Sequence, residues 1–273
     1  EFPGGNIGHL AVHGSVNDVA VSGGRPLWLS LAMIVEEGLE MGLLRRIMDS
    51  VRTAADACGV KVATGDTKVV GKGQCDGLYL NTAAIGEALE GFSLSADSIR
   101  EGDKILVSGT IGDHGMAVLS VRENIRITNG PLSDSGPVHR LVLAAQAHAA
   151  GVRFMRDPTR GGLASVLNEA ISGRPVGIVL KETNIPFSAG SKAVAELLGL
   201  DLLHSACEGR VVMVCAPDVA GRILSLWRAL PEGSGCACIG EVVRDRGRVI
   251  LETGTGGRRI VDLPRGELLP RIC

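Results

Sequence analysis

The chain ends in Pro270-Arg271-Ile272-Cys273, so its last side chain is a thiol. A cysteine titrates near ~8.5, and the cationic field of Arg265 and Arg271 favours the nucleophilic thiolate near neutral pH. A lone cysteine is more often inert, so this one needs chemical partners elsewhere in the chain. Residues 156–162, RDPTRGG, are the first candidates. Asp157 suits a helix N-cap, Pro158 the first helical position, and Gly161 with Gly162 lets a phosphate approach free backbone N–H groups. An ordinary capped helix fits the same residues; Arg160, which capping does not call for, points to an anion. Residues 63–70, ATGDTKVV, place Gly65, Asp66, Thr67 and Lys68 directly after a short apolar run, where α/β proteins put ligand loops. Asp66 offers a hard oxygen for Mg²⁺, and Lys68 a phosphate partner or an acid–base group, although a solvated polar turn reads the same way. The spacing is not that of a P-loop.

Three further stretches are less specific. Asn17-Asp18 interrupts a run of Val16, Val19 and Ala20, and a carboxylate among apolar neighbours needs either solvent or a partner such as a metal ion. Asp113-His114, between glycines 112 and 115, fits a strand-to-helix turn, with Asp113 as a cap and His114 exposed. Glu208 precedes an apolar strand, as a loop acid or as a base held at a rim.

These residues need elements to position them. Periodicity predicts a helix over 7–22 stopped by Gly23-Gly24 and Pro26, a strand over 27–35, a helix over 39–58 closed by Gly59, a short buried strand over 60–63 and another strand over 78–85. Polar residues 93–102 mark a boundary near residue 100. Beyond it the pattern predicts a strand over 104–108, a helix around 114–123, a polar loop over 126–136, a helix over 138–150, a helix opening at Asp157 and running to Ile171, and strands over 177–180, 211–215, 237–243 and 248–252. From Thr253 onward Gly and Arg dominate and predict an exposed arm. The fold class expected is α+β, with two α/β-layered domains at 1–100 and 101–252 and a flexible tail at 253–273.

The 273 residues suffice for two such cores. Hydrophobic residues make up 45% and aromatics 3%, so the cores must be aliphatic. A net charge of −2, with both signs interspersed, offers no field for nucleic acid or an anionic membrane. The longest apolar stretches are too short to span a bilayer and no signal sequence opens the chain, which predicts a cytoplasmic protein. Seven cysteines agree with a reducing compartment, and Cys236-Ala237-Cys238 lacks zinc-ligand spacing.

Taken in order, PGGNIGHLAVHGSVNDVAVSGGRPLWLSLAMIVEEG (3–38), ATGDTKVV (63–70), IGDHG (111–115), RDPTRGGLA (156–164), ELLGLD (196–201) and PRIC (270–273) closely resemble the HypE family of hydrogenase maturation proteins. That family lies in the superfamily of aminoimidazole ribonucleotide synthetase and selenophosphate synthetase. The resemblance implies an N-terminal domain that binds ATP and joins its sheet to a partner's in a homodimer, beside a C-terminal α/β domain. It implies a carboxamide on the Cys273 sulfur, delivered by the carbamoyltransferase HypF, dehydrated with ATP and Mg²⁺ to a thiocyanate, and passed as cyanide to iron on a HypC–HypD complex. By resemblance, Asp18, Asp66 and Asp157 are the metal and phosphate carboxylates. Asn17, Gly65, Thr67, Asp113, Arg160 and Gly161 lie around the nucleotide, and Lys68 and Glu208 assist deprotonation of the amide nitrogen. Two departures stand out. Cys207 occupies a position where the family usually carries Asn, and a glycine-rich segment and acidic strand that the family places before Phe2-Pro3-Gly4-Gly5 are not in this sequence. Weak ATP turnover is expected if that segment is truly missing. Kinase-like action on a free small molecule, or a silent partner-binding role, are the alternatives.

Overall fold

The computed structural model describes residues 1–245 and 247–264. Its first helix, α1 (Ile7–Val21), is capped by Asn6, whose side-chain oxygen accepts from the Gly8 amide at 2.9 Å. Val12, Val16 and Ala20 are fully buried, and α1 touches α2 (Met41–Cys58) and strands β1 (Gly24–Glu36) and β3 (Leu78–Ala88) of its own sheet. Its other side meets α4 (His139–Ala145) and β5 (Val152–Arg156) of the second half. A helix covered all round explains the nearly unbroken apolar run.

The first sheet has the order β2-β1-β3, where β2 is Lys61–Val70; β1 runs parallel to β2 and antiparallel to β3. Alternation sends Leu29 and Leu31 under α1 and α2, into a core with Val51, Ala54 and Ala55. The opposite face is bare. Trp28 and Ile34 on β1, and Tyr79 and Ile85 on β3, are each between 40% and 63% exposed there. Residues 63–70, expected to be a loop after a short buried strand, are instead part of a ten-residue edge strand whose residues are nearly all exposed. Pairing with β1, a contact between segments distant in sequence, extends the strand beyond what its own polar pattern predicts.

The second sheet has the order β10-β9-β6-β8-β4-β7-β5, antiparallel except between β6 and β9. Its further strands are β4 (Lys104–Val107), β6 (Gly177–Lys181), β7 (Val212–Cys215), β8 (Ala237–Val243), β9 (Val249–Glu252) and β10 (Arg258–Ile260). Both faces are covered, and the alternation is clean. Ile105, Val107, Val212 and Val214 pack with Leu163, Leu167 and Ile171 of α5 (Gly162–Ile171), while Leu106 and Met213 pack with Leu141 and Val142 of α4 and with Ile223 and Trp227 of α7 (Pro217–Arg228). The Trp227 indole N–H donates to the Leu141 carbonyl at 2.9 Å. Helices α3 (Asp113–Arg122) and α6 (Ala189–Leu198) pack together at one end. The expected helix over 138–150 divides into α4 and a 3-10 turn, Gln146–Gly151, with a kink at His148.

Residues 254–264, expected to begin an exposed arm, fold back on the second sheet. Strand β10 folds back on β9, Val261 is 1% exposed within the core, and Arg258 and Arg259 pair with Glu252 and Asp201 at 2.5 and 2.6 Å. Burial of Val261 and these ion pairs outweigh the local glycine content. Among the described residues no helix is long and apolar enough to cross a membrane, and six cysteines are free thiols.

Candidate active site

Three segments converge where the two sheets' helices meet: α1 with Asn17 and Asp18, the turn after β5 with Asp157 to Gly161, and the strand-leading loop with Glu208. The Cys207 amide donates to the Pro158 carbonyl at 2.9 Å, which binds the loop to the turn. The Asn17 side-chain amide donates to the carbonyls of Gly136 and Glu208 at 3.0 and 3.2 Å, and its oxygen accepts from the Val138 amide at 2.9 Å. Asn17 is 1% exposed, with both of its amide hydrogens and its oxygen engaged by backbone. In this chain it holds the loops together, with both amide hydrogens and its oxygen committed to backbone.

The acids are held in unusual states. Burial pushes Glu208 from 4.5 up to about 8, and Asp134, Asp157 and Asp18 add to the rise against the pull of Arg160. Asp157 goes from 3.8 up to about 6, through burial first and the Asp18 charge second. Partial desolvation raises Asp18 as well, opposed by Arg156 and Arg160. These three acids and Arg160 form one electrostatic group, in which Glu208 carries its proton at neutral pH. A groove of about 330 Å³ opens beside Asp18, lined also by Ser22, Gly24, Gly86 and Glu87.

The turn at 157–161 differs from expectation. Asp157 does not cap α5; the helix starts at Gly162, with Gly161 in the N-cap position. Both glycines have positive φ, +73° and +61°, so no helical turn forms before them. A Cβ on Gly162 would lie 2.5 Å from the Ser205 carbonyl, and one on Gly161 would meet the Ser165 hydroxyl and, at 3.3 Å, the ring of Pro264. Pro264 thus packs beside the turn that carries Arg160.

Other expected site residues lie elsewhere. Asp113 is buried, and its carboxylate accepts from the hydroxyls of Ser188 and Ser191 at 2.6 Å and from Thr110. Three hydroxyl donors tie this acid to the start of α6 and the turn before α3. Gly65, Asp66, Thr67 and Lys68 sit on β2, exposed, with Asp66 accepting from the Thr67 amide at 2.8 Å. By register, Asp66 lies beside Ala32 and Lys68 beside Ile34, so both share the bare face of the first sheet with Trp28 and Tyr79. Within one chain the expected trio Asp18–Asp66–Asp157 is not brought together: among the described residues no three acid, histidine or cysteine side chains are grouped to hold one metal ion. Asp18 and Asp157 alone fit Mg²⁺, which takes one or two carboxylates plus substrate phosphates. Cys273 lies outside the described residues.

Two functional-region residues escape the sequence reading. Asp134, in the polar loop before α4, has a side chain 1% exposed and pairs with Arg210 at 3.6 Å. Nothing local marks it, since Ser133-Asp134-Ser135-Gly136 reads as a turn. Arg210 also donates to the Thr110 carbonyl at 3.0 Å across Gly109, where a Cβ would meet the guanidinium at 2.8 Å.

Comparison with known proteins agrees with this architecture. Residues 2–88 match the N-terminal domain, and residues 100–252 the C-terminal domain, of AIR synthase related proteins. That pair of domains defines the class. Within it, the chain is 49% identical over its whole length to the carbamoyl dehydratase HypE of Bradyrhizobium diazoefficiens, covering 79% of that protein. It also matches a crystal structure of HypE in complex with ATP (TM-score 0.94, 41% identity, all of this chain and 83% of that one) and one of a HypE–HypF complex (TM-score 0.93, 42% identity, 97% and 86%). The chain belongs to the HypE family.

Proposed function

We propose that the chain is an ATP-dependent carbamoyl dehydratase that turns an S-carboxamide on Cys273 into a thiocyanate, supplying cyanide for nickel-iron hydrogenase maturation. The relatives support ATP and HypF as reaction partners, because one solved HypE holds ATP and another is a HypE–HypF complex. The observation that carries the assignment of Cys273 is the seat of Pro264 against Gly161. Nine residues follow it, giving the terminal sulfur a reach of at most about 30 Å from that turn.

In the reaction, the carboxamide oxygen bonds to the γ-phosphorus of ATP and ADP leaves. The C–O bond then breaks, the oxygen departing with phosphate while the nitrogen loses both protons and C–N becomes a triple bond. Arg160 orients anionic oxygens, and the Gly161–Gly162 turn lets them approach the start of α5. Asp18 and Asp157 would hold Mg²⁺, whose charge neutralises the transferring phosphate. Glu208 handles an amide proton; two of the three carboxylates that raise it are those same ligands, so its proton affinity is coupled to their occupancy.

Asp66 and Lys68 enter through a second copy. The bare sheet face supports a homodimer across this sheet, and β2 of one protomer then contributes Gly65, Asp66, Thr67 and Lys68 to the other's site. Residues 1–100 are then the ATP-binding and dimerisation domain, and residues 101–252 the domain that carries Asp157, Arg160 and Glu208. Transfer of the cyano group to a HypC–HypD complex, in the cytoplasm, completes the role.

Incubation with HypF, carbamoyl phosphate and ATP should add a carbamoyl mass at Cys273 that then falls by one water, read by peptide mass spectrometry. An adduct that survives Cys273→Ala, or that never loses water, sinks the reading.

A further inference from the structure

Glu208 is gripped at both of its backbone polar groups. Its amide N–H donates to Asp134 Oδ1 at 3.2 Å, and its carbonyl accepts from Asn17 Nδ2 at 3.2 Å. The same Asp134 carboxylate accepts from the Gly209 amide at 3.3 Å and from the His114 amide at 3.1 Å, at the start of α3. Arg210 closes this arrangement from behind, its Nε 3.6 Å from Asp134. The loop reaches this position only because residue 209 is glycine, since a Cβ there would stand 1.9 Å from the Asp134 carbonyl and 2.8 Å from the Gly136 amide. Two segments far apart in sequence thus hold the backbone on either side of the Glu208 Cα, and the Gly136 amide also donates to the Glu208 carbonyl, at 3.4 Å.

Glu208 is 6% exposed, so its backbone N–H and C=O need protein partners; a buried carboxylate and a buried carboxamide are used, and burying either one unpaired costs about 1–3 kcal/mol. What the arrangement fixes is the Cα of Glu208, and hence the direction in which its carboxyl leaves the loop. We propose that Asp134 and Asn17 are positioning residues for Glu208, a two-sided clamp that holds the proton-handling carboxyl in the geometry the dehydration needs. This rests on the reading of Glu208 given above. Asn17 does this work from the first domain and Asp134 from the second, so the clamp also makes Glu208's position depend on how the domains sit together.

A double-mutant cycle separates positioning from general loss of structure. Single-turnover loss of water from carbamoylated Cys273 is measured for wild type, Asp134→Asn, Glu208→Gln and the double variant, with ATP affinity by calorimetry in the presence of Mg²⁺. Asp134→Asn keeps the shape but turns one acceptor into a donor that faces amide N–H groups. Expected is a loss of about tenfold or more in rate for Asp134→Asn in the wild-type background and less than about twofold in the Glu208→Gln background, with the ATP dissociation constant within about twofold of wild type. Equal losses in both backgrounds, no loss at all, or a loss confined to ATP affinity would overturn the proposal. Wild-type rate from Glu208→Gln alone would remove Glu208 from the reaction, overturning the reading and the clamp together, and is recognised from that single variant. Should Asp134→Asn melt below the assay temperature, Asn17→Ala serves in its place, because it removes the side-chain half of the hold on the Glu208 carbonyl, leaving only the Gly136 amide there, and keeps Asp134 paired with Arg210; the same dependence on background is expected, and its absence overturns the proposal.

Discussion

Glu208 binds its proton far more tightly in the folded chain than a glutamate does in an unfolded one, at about 8 against 4.5, chiefly because it is buried. Folding is therefore favoured by this residue below about pH 4.5, and the contribution drains away as pH rises toward 8, where the native site must either ionise at a cost or hold a proton the solvent wants. Asp157 adds a smaller loss of the same sign between 3.8 and about 6. Replacement by an uncharged isostere removes the Glu208 share. Thermal melts of nucleotide-free protein should show Glu208→Gln gaining on wild type by about 5 °C between pH 5 and pH 8.5. Parallel melting curves across that range would mean that the carboxyl is not desolvated as described. Raised carboxyl groups beside a cationic turn also mark a place built to receive anionic oxygens and a cation together, which ordinary stability does not require.

The elements that hold these residues depend on a few close backbone approaches. Gly162 opens α5 at φ +61°, with carbonyls of Ser205 and Leu203 2.5 and 2.7 Å from where a Cβ would sit. Gly221, inside α7, has open space around it. Gly162→Ala should cost about 2–4 kcal/mol in urea unfolding, while Gly221→Ala should stabilise by about 0.5–1 kcal/mol through helix propensity alone; effects of equal size and sign at the two positions would contradict the contacts at Gly162. Much of this level was legible in the residues. The apolar runs of β4 and β7, and the small apolar helix α1, follow from burial on both faces, and periodicity alone finds them. Helix α7 is legible in principle, with Pro217 at its first position and Val219, Ala220, Ile223, Leu224 and Trp227 on one side, yet it is not among the elements expected above. What periodicity cannot show is where a polar segment pairs. Thr64, Asp66 and Lys68 have no apolar alternation, and only β1 makes them a strand. Asp134 and Asn17 are likewise invisible as a pair, because 116 residues lie between them and their common object is backbone, which carries no sequence signature.

At the scale of the whole molecule, one chain does not bring all the expected chemistry together. Asp18, Asp157, Arg160 and Glu208 share one electrostatic group, while Asp66 and Lys68 lie on a bare sheet face that also carries Trp28, Ile34, Tyr79 and Ile85. Two charges set among Trp28, Ile34, Tyr79 and Ile85 are a poor solvent face but a reasonable interface rim, so a second copy on that face both buries the apolar groups and carries Asp66 toward a site it lacks in its own chain. Subunit mixing tests this directly. Asp66→Asn and Glu208→Gln are each expected to be nearly inactive as homodimers. If every site takes Asp66 from one protomer and Glu208 from the other, a heterodimer of the two variants has one doubly altered site and one intact site. Random mixing after mild denaturation should then restore about a quarter of the wild-type dehydration rate. If each site draws both residues from the same protomer, both sites of every heterodimer carry one defect and mixing restores nothing. Sedimentation of the mixed sample shows whether dimers form at all, so a flat result with dimers present would place Asp66 in its own chain's site, and a flat result from monomers would remove the interface itself.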